Sequence, residues 1–155
     1  MNVKYRKLRK ADVPSTRKFF RKHLGFYAPD TDEEAEEWLR KPYCCYLAVF
    51  EKGGKEVIVG AVLLLLQLDR PERGVINLIA VEDKYRRRGI GSGLLRHALS
   101  LFNRRMSWWA HVRSYGGRIM FEKLLGADNF DQDDITFRGS DGLRVILPRY
   151  TGNIV

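Results

Sequence analysis

The chain has 155 residues, of which 45% are hydrophobic, and a formal net charge of +9. This length suits one domain, residues 1–155, that buries a core without stabilising crosslinks. Cys44 and Cys45 are adjacent and cannot form an ordinary structural bridge, and the longest apolar run, Val57–Leu66, is too short to span a membrane. These features exclude a disulfide-stapled secreted domain and a membrane-spanning protein, and they predict a cytoplasmic one.

The N-terminal segment predicts a strand followed by a basic amphipathic helix. Val3–Leu8 alternates weakly, and Asp12 can cap the helix that follows it. One helix face carries apolar side chains, at Phe19, Phe20 and Leu24. The opposite face carries cations, at Arg17, Lys18, Arg21 and Lys22. A solvated helix face explains the cations most simply, and contact with an acidic, RNA or ribosome-associated partner is the alternative.

The next segment predicts a loop, an acidic helix and a β-hairpin. Gly25–Pro29 is typical of a loop, and Thr31–Glu34 is a capping box that opens the second helix. The predicted buried stripe of this helix is Ala35, Trp38 and Leu39. Acidic side chains in its first turn complement the helix dipole, and a substrate contact is the alternative. Cys44–Phe50 and Glu56–Leu68 then predict two strands joined by a Gly53-Gly54 turn.

The most informative stretch is a buried strand, a basic glycine loop and an amphipathic helix. Val75–Val81 is apolar except for Asn77, which is typical of a strand buried on both faces. The polar arm Glu82–Arg88 follows, and the predicted helix starts at Ile90 among three glycines, Gly89, Gly91 and Gly93. A helix N-terminus offers unpaired N–H groups, and glycines let an anion approach them. Packing alone gives no reason for these glycines, so the stretch predicts a phosphate site.

Two common nucleotide motifs do not fit this stretch. A P-loop requires Gly-Lys followed by Ser or Thr, which the chain lacks. The dinucleotide fingerprint requires G-x-G-x-x-G directly after a strand and an acid about 20 residues later. Here the glycines run G-x-G-x-G after a polar arm, and Trp108–Val112 contains no acid.

The C-terminal third predicts a strand, a helix and a final pair of strands. Ser107–Arg113 is the predicted strand, and Ser114–Leu125 is the predicted helix, which Gly126 ends. Phe130 and Leu143–Leu147 supply the last strands. Asp141-Gly142 marks the turn between them.

The run Arg86-Arg87-Arg88-Gly89-Ile90-Gly91 resembles the R/Q-x-x-G-x-G/A motif of the GNAT superfamily of N-acetyltransferases, and Ile79-Ala80-Val81 resembles its lead-in strand. The resemblance implies an α/β (α+β) fold with a mixed, mostly antiparallel central sheet. Helices flank this sheet, which is splayed at the acetyl-CoA-binding strand. It also implies transfer of an acetyl group from acetyl-CoA to a primary amine on a protein N-terminus, a lysine or a small molecule. It implies no metal, and it leaves oligomerisation open.

The resemblance also implies where the two substrates bind. Backbone amides of the strand and loop would hold acetyl-CoA, with help from the arginines and Ser114: Ile79, Ala80, Val81, Arg86, Arg87, Arg88, Gly89, Ile90, Gly91, Ser92 and Ser114. The segment between the first two helices would line the acceptor groove, which makes Phe26, Tyr27 and the acids from Asp30 to Glu37 candidates. Asn77 occupies a strand position where many relatives carry glutamate, and is a further candidate.

Acid–base residues are less clearly marked. His111 begins an H-V-R triplet where some relatives carry E-V-R, so it is a candidate base, or else a packed structural histidine. The tyrosine that usually donates a proton to the leaving thiolate is replaced by Phe121, and Tyr115 is an alternative donor. A non-catalytic acyl-CoA-binding module stays open on this ground. The basic character of the chain keeps a third hypothesis open, an RNA- or ribosome-associated protein.

Overall fold

A computed structural model describes residues 1–25, 28–66, 73–100, 107–111, 131–138 and 144–153, the last three ranges by their backbone. Within these residues the strands are Lys4–Lys7 (β1), Tyr43–Lys52 (β2), Lys55–Leu66 (β3), Arg73–Val81 (β4), Ser107–His111 (β5), Asp131–Arg138 (β6) and Arg144–Asn153 (β7). The α-helices are Val13–Leu24 (α1), Asp32–Ala35 (α2) and Ile90–Leu99 (α3). Short 3₁₀ turns occupy Lys10–Asp12, Glu36–Leu39 and Asp83–Tyr85.

The strands form a seven-stranded sheet in the order β1-β2-β3-β4-β5-β7-β6. Its neighbouring strands run antiparallel except β4 and β5, which run parallel. A parallel pair needs a crossover, and α3 lies in the connection from β4 to β5. The predicted mixed, mostly antiparallel sheet flanked by helices is therefore confirmed.

Two apolar layers cover the two faces of the sheet. On one face α3 buries Leu94 and Leu95 against strand residues such as Val62. On the other face α1 and the segment after α2 bury Phe20 and Trp38, whose rings meet edge to face at 5.4 Å. The continuous apolar run of β3 follows from this arrangement, because both faces of its strand are covered.

Most of the predicted elements in the first half of the chain are present, with two differences at the helices. The Gly53-Gly54 turn has positive φ at both residues, as a tight hairpin requires. The acidic second helix lasts only from Asp32 to Ala35 before it tightens into a 3₁₀ turn. This tightening turns Leu39 outward, so its predicted burial is wrong: its exposure is 37%.

Asp12 stands at the start of α1 but its side chain does not cap the helix. Its carboxylate instead accepts hydrogen bonds from Arg6 at 2.7 and 3.0 Å and from the Arg9 amide at 2.8 Å. Arg6 also reaches Glu56 at 2.6 Å, which ties β1 to the β2–β3 hairpin. The hydrogen bonds from Arg6 hold the pKa of Asp12 below its usual range. The Arg6 guanidinium is a charged donor, so it binds the carboxylate more strongly than the neutral amides at the helix start would.

The last two strands extend beyond their prediction. The sequence indicates strand from Phe130 and from Leu143 to Leu147, whereas β7 continues to Asn153 because it pairs with both β5 and β6. The predicted helix Ser114–Leu125 and the Asp141-Gly142 turn lie outside the described residues.

Two glycines let α3 lie close to the sheet. A Cβ atom on Gly60 of β3 would lie 2.8 Å from Leu94, and one on Gly93 of α3 would lie 2.1 Å from the hydroxyl oxygen of Tyr5. The Tyr5 ring stacks on His97, with 4.5 Å between ring centroids. Packing therefore does explain the third glycine of the loop, and the opposite expectation is wrong for Gly93.

Replacing Gly93 with alanine should destabilise the protein by about 1–3 kcal/mol, because the added methyl group overpacks the Tyr5 contact. Helix propensity alone predicts the opposite sign, since alanine favours helix over glycine by about 1 kcal/mol. Urea unfolding of Gly93→Ala measures the difference. Combining it with Tyr5→Ala should cost less than the two single changes added together. A variant as stable as the wild type would contradict this packing.

Candidate active site

A β-bulge at Asn77 interrupts the ladder between β3 and β4. Leu63 of β3 pairs with Leu78 and Leu64 pairs with Ile76, so Asn77 is the extra residue. The bulge coincides with the point where β5 leaves β4, since their pairing runs from Arg73–Ser107 to Ile76–Ala110. Among the described residues, β4 from Asn77 onward is paired on one side only. We call the space along this edge of β4, which is unpaired among the described residues, the cleft.

The alternation of an antiparallel ladder decides which amides of β4 face this cleft. The Glu82 amide donates to the Val59 carbonyl at 2.8 Å, so the residue two earlier, Ala80, also points to β3. The amides of Ile79 and Val81 then point to the open side. The Val81 carbonyl confirms this direction by accepting a hydrogen bond from Arg86 Nε at 3.2 Å. Of the three amides proposed from sequence, the geometry favours Ile79 and Val81 over Ala80.

The N-terminus of α3 supplies a second group of free donors. Gly89 is the N-cap, with φ of 78°, and its carbonyl accepts the Gly93 amide at 2.9 Å. The amides of Ile90, Gly91 and Ser92 precede this first helical bond, and no side chain caps the helix. Arg87, in the arm, also has a positive φ of 65°. Three orphan donors at the positive end of a helix suit an anion such as a pyrophosphate.

The arginine side chains of the arm differ in their contacts. Arg86 donates to the Val81 carbonyl and contacts Asp83 at 2.8 Å, so it folds the arm onto itself. Arg88 lies over the Tyr85 ring at 5.7 Å from its centroid. Arg87 is exposed. Because Arg86 is engaged within the arm, the backbone amides are the first candidates for contacts with a phosphate, and the side chains of Arg87 and Arg88 come second.

A cavity of about 470 Å³ opens beside the bulge, on the face of the sheet that α1 covers. Asn77 and Leu78 form its floor, and Trp38 and Tyr43 contribute aromatic surface. Its rim carries three carboxylates, Asp30, Glu34 and Glu37. Only these three of the acids predicted as acceptor contacts lie in the cavity with Asn77, and Asp32 instead pairs with Arg17. Phe26 and Tyr27 lie outside the described residues.

The backbone of His111 lies next to the bulge. Ala110 of β5 pairs with Ile76, so the following residue, His111, stands alongside Asn77 where the strands diverge. On its other side His111 pairs with Arg149 of β7. Ser114, Tyr115 and Phe121 lie outside the described residues. The backbone of the predicted base therefore lies at the bulged end of this cleft.

Most cations of α1 are exposed, as expected, at Lys18, Arg21 and Lys22, and three of the four also form ion pairs. Arg17 pairs with Asp32, Arg21 with Asp30, and Lys22 with Glu82. Lys18 is exposed. Arg17 and Arg21 therefore pair with two acids at the start of the acidic segment, and Lys22 pairs with the arm, contacts that no local pattern in α1 reveals.

A model of the acetyltransferase (GNAT) family matches residues 8–127. The chain belongs to this family. The protein is accordingly an acetyltransferase, and its family uses acetyl-CoA. The free amides of β4 and α3 fit such a ligand, because they offer donors both to an extended amide-containing arm and to a pyrophosphate. No curated protein matches the chain.

Solved structures share this fold at low sequence identity. The ribosomal-protein-S18-alanine N-acetyltransferase from Escherichia coli has a TM-score of 0.73 at 19% identity, over 99% of this chain and 94% of that one. Arabidopsis thaliana NAA60 in complex with acetyl-CoA has a TM-score of 0.75 at 15% identity, over 99% of both chains. A GNAT superfamily phosphinothricin acetyltransferase from Sinorhizobium meliloti, also with acetyl-CoA, has a TM-score of 0.75 at 17% identity, over 99% and 89%.

Some residues near the site were not anticipated from the sequence. Trp38 was predicted only as core, and Tyr43 lay outside the predicted strand, yet both line the cavity. His23, on the basic helix, was not predicted to contact the arm, yet its ring nitrogens face the start of the arm. These contacts join residues far apart in the chain.

In the described part of the chain, no helix is long and apolar enough to cross a membrane.

Proposed function

We propose that the protein transfers an acetyl group from acetyl-CoA to a primary amine that carries further positive charge. The observation that carries the proposal is the continuity of three features along β4. The orphan amides of α3 lie beyond one end of its free edge, the bulge at Asn77 lies at the other end, and the acidic cavity opens beside that bulge.

Each of these three features along β4 has a distinct task. Acetyl-CoA, when bound, supplies the activated acetyl group. The amides of Ile79 and Val81 hold the extended arm of the cofactor and orient the acetyl carbonyl toward the bulge. The amides of Ile90, Gly91 and Ser92 hold the pyrophosphate. Because these donors are preorganised on a strand and a helix, little reorganisation accompanies binding.

An acceptor amine is protonated near neutral pH and must lose a proton before it can attack. His111 is the proposed base, because its backbone lies at the bulged end of the cleft and a histidine titrates near neutrality. Tyr115 is the proposed proton donor to the leaving thiolate. Phe121 cannot serve at the position where relatives usually carry tyrosine.

The charge of the cavity supports a cationic acceptor. Asp30 is paired with Arg21, and Glu34 accepts the Asp30 amide at 3.2 Å. Glu37 lines the cavity with no ion pair among the described residues. A carboxylate free of a partner attracts an ammonium or guanidinium group, as in a basic peptide or a polyamine. One structural neighbour is named for acetylating the alanine of a ribosomal protein, which supports including peptide N-termini.

A panel of acceptors, read by release of free coenzyme A thiol, tests the function. Peptides with alanine at the N-terminus and either basic or neutral following residues form one pair, and a polyamine and a monoamine form another. We expect turnover with the cationic member of a pair, and a rise of about threefold or more in its KM for Glu37→Gln. Equal turnover within both pairs would contradict the acceptor class.

A further inference from the structure

Side chains of two residues join α1 to the start of the arm that leads from β4 to α3. Lys22 Nζ lies 2.7 and 2.9 Å from the carboxylate oxygens of Glu82. His23 Nε2 lies 3.4 Å from the same carboxylate, and its Nδ1 lies 3.7 Å from Asp83. The His23 side chain is 5% exposed and packs on the Phe19 ring at 4.6 Å between centroids. A buried imidazole therefore faces two consecutive carboxylates of the arm.

These carboxylates set where the arm begins. The Glu82 amide, directly after β4, donates to the Val59 carbonyl of β3 at 2.8 Å, so the backbone at the start of the arm is fixed to the sheet. Its side chain, 19% exposed, then fixes the arm against α1. The Tyr85 amide donates to the Glu82 carbonyl at 2.9 Å, and Arg86 contacts Asp83 at 2.8 Å. The turn from Glu82 to Arg86 is thus anchored at its first residue.

The position of these contacts points to a role in cofactor binding more than in folding. Surface ion pairs contribute little to folding stability, and Lys22 is largely exposed. The arm, however, carries Arg87 and Gly89 in left-handed conformations directly before the orphan amides of α3. The orphan amides must converge on one anion. If the backbone that carries them is mobile, the ligand must order it on binding, and the affinity for the anion falls. An anchor outside the binding site can supply that order.

We propose that Lys22 and His23 are positioning residues, which hold the pyrophosphate loop in its binding conformation through Glu82 and Asp83. The proposal rests on the proposed function, because it assumes that the loop binds acetyl-CoA. Neither side chain touches the orphan amides of α3 in the described structure, so their effect is indirect. It should appear in the affinity for acetyl-CoA and leave kcat at saturating substrates nearly unchanged.

The chain offers a matched control for the test. Lys18 lies one turn earlier on α1, is exposed, and has no ion pair among the described residues. Lys18→Glu and Lys22→Glu change the net charge equally, so long-range attraction of an anionic ligand changes similarly in both. Only Lys22→Glu places a like charge against Glu82.

Calorimetry with acetyl-CoA should show a Kd raised about fivefold in Lys22→Glu and less than about twofold in Lys18→Glu. Glu82→Gln, a milder change of the same shape, should raise Kd about threefold. The exchange Lys22→Glu with Glu82→Lys restores opposite charges and should return Kd to within about twofold of wild type. Thermal melting verifies that each variant is folded, and kcat should stay within about twofold throughout.

The outcomes separate this proposal from the proposed function. A wild-type protein that does not bind acetyl-CoA refutes the function. Wild-type binding with equal losses for Lys18→Glu and Lys22→Glu overturns the positioning role alone. Failure of the folded charge exchange to recover affinity overturns it as well. If the double variant does not fold, an unchanged Kd for Glu82→Gln overturns the positioning role.

Discussion

Replacing His111 with glutamine should lower kcat/KM by about 10² to 10⁴-fold, the usual contribution of a positioned base. The expectation rests on backbone register, which places His111 beside the bulge at Asn77 where β4 and β5 separate. Glutamine keeps a polar side chain of similar size but cannot take a proton near neutral pH. In the wild type, kcat/KM should rise with pH through an apparent pKa in the histidine range. The variant should lose that rise.

Steady-state rates across pH, measured at fixed acetyl-CoA and varied acceptor, check this prediction. Acetyl-CoA affinity serves as the internal control, because the amides of β4 and α3 are unchanged and Kd should stay at the wild-type value. A variant that retains both the rate and the pH profile would make His111 a structural residue. Deprotonation would then proceed through water or an acid of the cavity such as Glu37.

Replacing Gly91 with valine should weaken acetyl-CoA binding by at least about tenfold, which corresponds to roughly 1.4 kcal/mol. Gly91 contributes the middle of the three orphan amides at the start of α3. A branched side chain there keeps a bulky anion from approaching the backbone. Valine also favours helix over glycine, so reduced binding is not expected to come from a weakened helix.

Gly91→Ala provides the graded control for this loss, and calorimetry measures both variants. Its single methyl group should weaken binding less than the two methyl groups of valine. A loss that grows from alanine to valine identifies steric exclusion of the ligand. Unchanged binding by a folded Gly91→Val would show that no anion approaches the helix start.

Local sequence pattern was enough to predict most of the fold. The alternation and apolar runs of β2, β3 and β4, the glycine hairpin and the helical spacing after Ile90 all reflect periodicity, which neighbouring residues determine. The loop motif also predicts the cofactor site that we propose, because its orphan amides belong to consecutive residues. Boundaries were less certain where long-range pairing extends a strand, as in β7.

The features that local pattern could not reveal depend on contacts between distant segments. The bulge at Asn77 follows from how β3 and β4 pair, and the role of Gly93 follows from the approach of Tyr5 in β1. Asp12 was expected to cap α1, but Arg6 offers its carboxylate stronger donors. The pairing of His23 with the arm likewise joins residues that are adjacent only in the folded chain.

We propose that acetyl-CoA lies along the free edge of β4 and against the start of α3. Amide hydrogen exchange resolved by residue, with and without acetyl-CoA, tests this placement. We expect the amides of Ile79, Val81 and the first turn of α3 to exchange rapidly in the free protein and to become protected on binding. Ala80 and Glu82, which already donate to β3, should change little. This placement of acetyl-CoA would be wrong if Ala80 and Glu82 gained as much protection as Ile79 and Val81, or if neither β4 nor the start of α3 gained any protection.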